Sequence, residues 1–229
     1  MSDDAAQYAV YLAPQNHMLS SPAPTPSDLV RVVDMIRYAI SRFETAEVFY
    51  GHGTTCALDE AAALVLGALK LPPDLPETYL QAQLTADEAR QVAELIERRT
   101  SQRIPVPYLL GECWYAGRRF TVSPDVLVPR SPIFELMETE FSPWLSEPPE
   151  RALDLCTGSG CLAILLAETF PGTLVDASDL SADALKIAQQ NIERHGFSGA
   201  IELLEGDGLL ACGDRQYDLI VTNPPYVPA

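Results

Sequence analysis

From residue 151 onward the chain alternates short apolar runs with segments of helical length and period. Ala152-Leu153-Asp154-Leu155-Cys156 reads as a buried strand, and a helix over 160–170 follows it. Leu174-Val175-Asp176-Ala177-Ser178 is a second strand, and a helix over 181–195 closes at Gly196. Ile201-Glu202-Leu203-Leu204 and Tyr217-Asp218-Leu219-Ile220-Val221-Thr222 supply a third and a fourth strand. Strands separated by helices at this spacing can pair only through crossovers, so the pattern predicts βαβ units and a parallel sheet. No internal repeat is visible.

The turn after the first strand, Asp154-Leu155-Cys156-Thr157-Gly158-Ser159-Gly160, is a glycine loop that opens a helix. Gly158 and Gly160 let the backbone approach a ligand, and free N–H groups at the helix start can meet a carboxylate. The spacing is neither the G-x-G-x-x-G of dinucleotide enzymes nor a P-loop. A tight strand-to-helix turn is the plain alternative. Asp179 falls about 20 positions on, where an acidic residue can accept both hydroxyls of a ribose. It could instead cap the next helix, a role Ser181 can also fill. Asp207, past the third strand, is placed either to reach an adenine amine or to sit in a solvated turn. The fourth strand runs into Thr222-Asn223-Pro224-Pro225-Tyr226. In the usual order of such sheets that strand lies beside the first, so the two loops share one crevice at the topological switch point. The prolines fix the backbone and leave carbonyls as acceptors, and Asn223 adds a side-chain carbonyl. Two acceptors and an aromatic wall make a clamp for a planar –NH2 group. A cofactor loop beside such a clamp points to methyl transfer from S-adenosylmethionine to nitrogen.

Ahead of this region the organisation differs. Residues 1–26 end in alternating prolines, which deny regular structure and predict a loosely held tail. Residues 27–104 read as a small helical domain. Its first helix spans about 27–46, with Leu29, Val32, Val33, Ile36, Ile40 and Phe43 at helical spacing. A second spans about 57–70, a short piece lies around 76–82, and a third opens on the capping box Thr85-Ala86-Asp87-Glu88. Arg98, Arg99 and Arg103 suit the negative end of that helix's dipole. His52, in the turn Tyr50-Gly51-His52-Gly53-Thr54, reads as a loop histidine satisfying nearby backbone. Residues 105–150 hold a hairpin around Gly117 and a connecting helix that Ser131 and Pro132 open and that ends near Pro143. The partial sheet domain fills 151–229.

The net charge of −17 repels nucleic-acid backbones. It either attracts a basic partner or serves solubility. Five cysteines without a C-x-x-C pair, and only three histidines, predict no metal centre and a reduced, cytoplasmic setting. No apolar run reaches membrane-spanning length, and Asp3 and Asp4 stand where a signal peptide would be basic.

The Asn223-Pro224-Pro225-Tyr226 loop together with Asp154 to Gly160 resembles the class I S-adenosylmethionine-dependent methyltransferases acting on exocyclic or amide nitrogen. Tyr108-Leu109-Leu110-Gly111, Phe120-x-Val122 and Val126-Leu127-Val128-Pro129-Arg130 are similar to the protein-glutamine methyltransferases. Those modify the Gly-Gly-Gln loop of release factors or a glutamine of ribosomal protein three of the large subunit. The release-factor branch typically reads Pro-Arg-Pro-Glu-Thr-Glu. This chain reads Pro129-Arg130-Ser131-Pro132-Ile133-Phe134-Glu135-Leu136, and with Phe49 to Thr54 it resembles the ribosomal-protein branch. The resemblance implies a Rossmann-like sheet preceded by a small helical domain and a β-hairpin. It implies that Asn223, Pro224 and Tyr226 act on the substrate amide. It also implies that Asp154, Thr157, Gly158, Ser159, Gly160, Asp179, Asp207 and Asn223 hold S-adenosylmethionine. The family's sheet has seven strands, of which only the first four fall in this sequence, so a truncated form with an incomplete sheet is expected. The expected partner is a ribosomal protein, with release factor as the second choice and neither stable nucleic acid nor membrane. A DNA adenine methyltransferase and an inactive fragment are the rival readings.

Overall fold

A computed structural model describes residues 31–51 and 53–224, which fall into two compact units that divide between Leu110 and Gly111. The boundary lies six residues past the end expected for the helical domain, and the hairpin shares a unit with the parallel sheet rather than a segment of its own. The tail, His52 and Tyr226 lie outside the described residues. No described helix is long and apolar enough to cross a membrane.

The first unit is a helical cluster. Helix α1 (Val32–Thr45) buries Val32, Met35, Ile36, Ala39 and Phe43, the i, i+3, i+4 stripe that the spacing predicts. Helix α2 (Ala57–Ala68) supplies Ala61, Leu64 and Val65 to the same core, and α3 (Ala86–Ser101) supplies Val92 and Ile96. Each fully buried aliphatic side chain stabilises the cluster by roughly 1.5–3 kcal/mol. The capping box forms as expected. Glu88 N–H donates to Thr85 Oγ1 at 3.3 Å, and Thr85 N–H donates to Glu88 Oε2 at 2.7 Å. A short helix α4 (Val106–Leu110) closes the unit, its Leu110 lying against Gly67.

Arg99 departs from expectation. It is 1% exposed, and its Nε donates to Glu60 Oε1 at 2.5 Å. Its other nitrogens donate to the carbonyls of Phe49 (2.7 Å) and Arg103 (3.3 Å). Glu60 also accepts from Thr54 Oγ1 at 2.6 Å. A charge carried into an apolar cluster needs a full set of partners, and this pair has one from each end of the loop 49–54. From the last turn of α3 the arginine therefore anchors that loop as well.

The second unit opens with a hairpin of β1 (Glu112–Tyr115) and β2 (Arg118–Thr121), turning at Ala116 and Gly117. The helix expected from Ser131 to Pro143 is much shorter, α5 (Ile133–Met137). The chain after it enters left-handed backbone at Glu140 and Phe141, with Phe141 N–H donating to Leu136 O at 2.8 Å. That turn tucks Phe141 beneath the surface, where it stacks on Phe170 at 6.3 Å, so burial of one aromatic ring ends the helix early.

The sheet is parallel throughout. Its strands are β3 (Arg151–Leu155), β4 (Leu174–Asp179), β5 (Ile201–Glu205) and β6 (Leu219–Thr222), in the order β5-β4-β3-β6. Helix α6 (Cys161–Thr169) has seven of its nine residues buried, as a helix apolar on every side must be. Helix α7 (Ala182–His195) is amphipathic and ends at Gly196, whose φ of 79° is the left-handed C-cap the sequence signals. At the opposite end of the strands from these helix starts, Asp176 accepts from Arg151, Arg215 and Tyr217 at 2.7–2.9 Å. These hydrogen bonds hold its carboxyl below the usual range although burial opposes them. Strand β6 pairs with β3 on one side, and its Ile220 is 48% exposed.

Replacing Arg99 with alanine leaves Glu60 buried without its counter-charge and frees Phe49 O. The loss expected is about 3–5 kcal/mol, measured by urea unfolding. A change below 1 kcal/mol would mean that the loop is held by something else.

Candidate active site

Parallel pairing brings the carboxyl ends of four strands to one edge. Leu155 of β3 is in register with Ser178 of β4 on one side and with Thr222 of β6 on the other. Asp179 is in turn aligned with Glu205 of β5. Across that edge the chain therefore presents Asp207, Asp179, the glycine loop and Asn223, in strand order. Thr222 Oγ1 donates to Leu155 O at 2.8 Å, tying the exit of β6 to the exit of β3 where both loops begin. Asn223 and Pro224 are half-buried at this rim.

The glycine loop has few side chains of its own, and its shape comes from hydrogen bonds. Thr157 N–H donates to Ser178 O at 2.9 Å, and Gly160 N–H donates to Thr157 O at 3.0 Å. Gly158 N–H donates to Asp179 Oδ2 at 2.9 Å. These three amides are taken up inside the protein. The donors expected for a ligand carboxylate are accordingly fewer than the sequence suggests. Cys156 holds left-handed backbone at φ 63°, strain of the kind a fixed loop at a working site can carry. Thr157 and Ser159 are buried.

The two glycines serve different ends. A Cβ at Gly158 would meet nothing within 4 Å, so its face is open to a bound group. A Cβ at Gly160 would lie 3.1 Å from Ala188 Cβ and 3.2 Å from Ala188 Cα, so this glycine lets the loop sit on α7. Both need positive φ, 54° and 78°.

Asp154 lies beneath the loop at 0% exposure. Its Oδ2 accepts from Thr157 Oγ1 at 2.6 Å and from Ala163 N–H at 3.0 Å, while Oδ1 has no partner. Burial raises its pKa to about 6, against the lowering effect of those two bonds. A side chain so enclosed positions the loop and the first turn of α6 rather than presenting a surface to a ligand. Asp179 is half-buried and sits against the loop, its Oδ1 accepting from Ser181 N–H at 3.0 Å. The cap of α7 is Ser181, whose Oγ accepts from Ala184 N–H at 3.1 Å. Asp207 is exposed and precedes the 3-10 turn Gly208–Cys212 without a side-chain cap bond.

Two further groups frame the site. Asn191, on the buried stripe of α7, bonds both the loop and the hairpin. The only trace in the sequence is a polar residue at an apolar position of a helical period. Tyr115 donates from its hydroxyl to Ser131 O at 2.6 Å, holding the hairpin to the Pro129–Leu136 block. All five cysteines are free thiols, and burial pushes Cys113 and Cys161 up to about 12, so neither is a nucleophile at neutral pH.

Gly158→Ala is expected to cost roughly 1–2 kcal/mol of stability from backbone alone and to weaken binding of S-adenosylhomocysteine. Gly160→Ala adds a clash with Ala188 and is expected to cost roughly 2–4 kcal/mol. Urea titration and calorimetry separate the two; equal effects would contradict the assignment. The raised pKa of Asp154 also has a sign. Its proton is favoured in the fold, so its contribution to stability falls as pH rises from about 4 to about 6 and is constant above. Wild type should lose roughly 3 kcal/mol relative to Asp154→Asn across that window, read from urea midpoints at each pH.

Residues 140–228 match the family model described as "Methyltransferase small domain". The chain is 48% identical over 202 residues to the ribosomal protein uL3 glutamine methyltransferase of Bordetella pertussis, covering 87% of this chain and 68% of that protein. It is 48% identical over 209 residues to the protein of the same name from Xylella fastidiosa strain Temecula1, covering 90% and 67%. A solved ribosomal protein L11 methylase from Lactobacillus delbrueckii subsp. bulgaricus is 28% identical over 45% of this chain and 51% of that chain, with a TM-score of 0.37. With a shared sequence of this extent running through both units and a glycine loop set beside the Asn223-Pro224 exit of β6, the chain belongs to the family of ribosomal protein uL3 glutamine methyltransferases.

Proposed function

We propose that this protein methylates the side-chain amide nitrogen of a glutamine in the large-subunit ribosomal protein uL3, in the cytoplasm, with S-adenosylmethionine as the donor. The observation that carries the reading is the common exit of β3 and β6. Leu155 and Thr222 are in register and hydrogen-bonded, so the glycine loop and Asn223 leave neighbouring strands at one edge.

The residues present fit the donor. Gly158 offers an open backbone face, and Asp179 offers a carboxylate beside it. Gly158 and Asp179 would hold it, with Asp207 at the far end, while Ser159, buried with its carbonyl bonded to Asn191, would help fix the loop. Thr157, Gly160 and Asp154 would fix the loop from below. When bound, S-adenosylmethionine supplies a methyl group on a positively charged sulfur, open to attack by a nucleophile.

The work left to the chain is orientation. An amide nitrogen is a poor nucleophile because its lone pair is delocalised into the carbonyl. Asn223 Oδ1 and Pro224 O would accept the two hydrogens of the substrate –NH2, fixing the amide plane and drawing electron density towards nitrogen. Tyr226 would pack against the substrate. Fixed acceptors act here through positioning and electrostatics, and no strong general base is needed. The net charge of −17 supports a basic ribosomal protein as substrate, because complementary charge raises the rate of encounter.

Asn223→Ala is expected to lower the rate of glutamine methylation about 100-fold or more while leaving S-adenosylhomocysteine affinity nearly unchanged. Mass spectrometry of uL3 incubated with each variant reads the first quantity, and calorimetry reads the second. Full methyl transfer by the variant would overturn the role of Asn223. Preferential methylation of a release factor offered in competition would overturn the choice of substrate.

A further inference from the structure

We propose that Asn191 is a positioning residue that couples the β1–β2 hairpin to the glycine loop, making the end of β2 part of the frame that sets cofactor affinity. The inference rests on the reading of that loop as the cofactor site.

Asn191 is 0% exposed. It shares the inner face of α7 with Ala184, Leu185, Ala188 and Ile192, where an unsatisfied amide would be costly. Every strong hydrogen-bonding direction of its –NH2 is used. Nδ2 donates to Thr121 O at 2.9 Å and to Ser159 O at 2.9 Å. Oδ1 accepts from Thr121 N–H at 2.7 Å. One amide group thus fixes the last residue of β2 and the residue between the two glycines in a single arrangement.

Aspartate, close in shape, lacks the donors, serine is too short to span three partners, and glutamine places the same atoms one bond too far.

The contact reaches the loop at its most consequential peptide. The plane between Ser159 and Gly160 is held at both ends, its C=O by Asn191 and its N–H by Thr157 O at 3.0 Å. One turn earlier on α7, Ala188 meets the bare face of Gly160. One turn later, His195 Nε2 bonds Arg119 O at 3.0 Å, and its ring lies 5.0 Å from that of Phe120. Arg194 adds an ion pair to Glu112 of β1 at 3.6 Å. The helix face from 188 to 195 therefore seats the loop at one end and the hairpin at the other, and Asn191 touches both.

The test compares the whole chain with Asn191→Asp and Asn191→Ser, the second kept in case a buried carboxylate prevents folding. Amide hydrogen exchange is read at Thr121 and over 157–160, first without ligand. Both sites should exchange about tenfold faster or more in the variants, with the strands β4 and β5 unchanged. S-adenosylhomocysteine should slow exchange at Thr121 in wild type and fail to do so in either variant. Its affinity should fall about tenfold, with a smaller change in kcat than in KM for S-adenosylmethionine. In Asn191→Asp the affinity should partly recover at low pH, where the protonated acid regains one donor. A lowered melting temperature with unchanged affinity and unchanged exchange at both sites would reduce Asn191 to a packing residue and overturn the proposal. If wild type binds no S-adenosylhomocysteine, the cofactor reading fails and the proposal with it, whereas binding by wild type with equal affinity in both variants overturns the coupling alone.

Discussion

The register of β3 against its two neighbours is the constraint on which the remaining structure depends. A parallel ladder fixes which residues end together, and here Leu155, Ser178 and Thr222 end together. Strands β3 and β4 are buried on both faces, so an inward-outward alternation cannot set their register and ties at the strand ends must. The pairing is reinforced from both ends. Below, Asp218 accepts from the amides of Glu150 and Arg151 at 2.9 and 3.1 Å, and Arg151 reaches across to Asp176 on β4. Above, Thr222 bonds Leu155 O. These ties bind β3 to β6 and to β4 at positions where no helix crossover could set the register so closely.

What could be read from the sequence follows how local each interaction is. Strands and helices after residue 150 were legible because their signals are runs and periods, and the observed ends differ from the expected ones by at most two residues. The capping box at Thr85 and the C-cap at Gly196 were legible because both depend on neighbours within four positions. The sheet order was legible through the general behaviour of βαβ units. The Arg99–Glu60 pair was not, because its partners are 39 positions apart and an arginine near a helix end has a simpler explanation on the surface. The helix at Pro132 was expected to run on because nothing in its own residues stops it. Phe141 stops it by burying its ring against Phe170, a contact 29 positions away.

The candidate site was legible as composition and less so as roles. Asp154, Thr157, Gly158, Ser159 and Gly160 form one loop, yet only Gly158 of the two glycines faces open space. Asp154 proved to be enclosed, and three of the loop amides are taken up by the protein. Sequence spacing can place a residue in a loop, but whether its side chain points out or beneath depends on φ at a few positions. Here those positions are Cys156, Gly158 and Gly160, all left-handed. The turn they make carries the backbone over Asp154, so the carboxylate at the end of β3 is covered by the residues that follow it.

A loop built around glycine has little surface with which to pack, so its position has to be imposed from outside through the backbone. Three side chains do so here. Asp179 holds the amide of Gly158, Asn191 holds the carbonyl of Ser159, and Asp154 holds the hydroxyl of Thr157 and the amide of Ala163 at the start of α6. Buried polar groups of this kind add less stability than apolar packing of the same volume. Their value is direction, since a hydrogen bond weakens steeply when bent whereas apolar contact tolerates sliding. The polar residues beneath the loop are therefore where an apolar core would be more stable and less able to fix a backbone. They come from β3, β4 and α7, so the loop's shape depends on three elements being correctly packed at once. The fold in this way delivers to its carboxyl edge a backbone held to a narrow geometry, with Gly158 as the part left open.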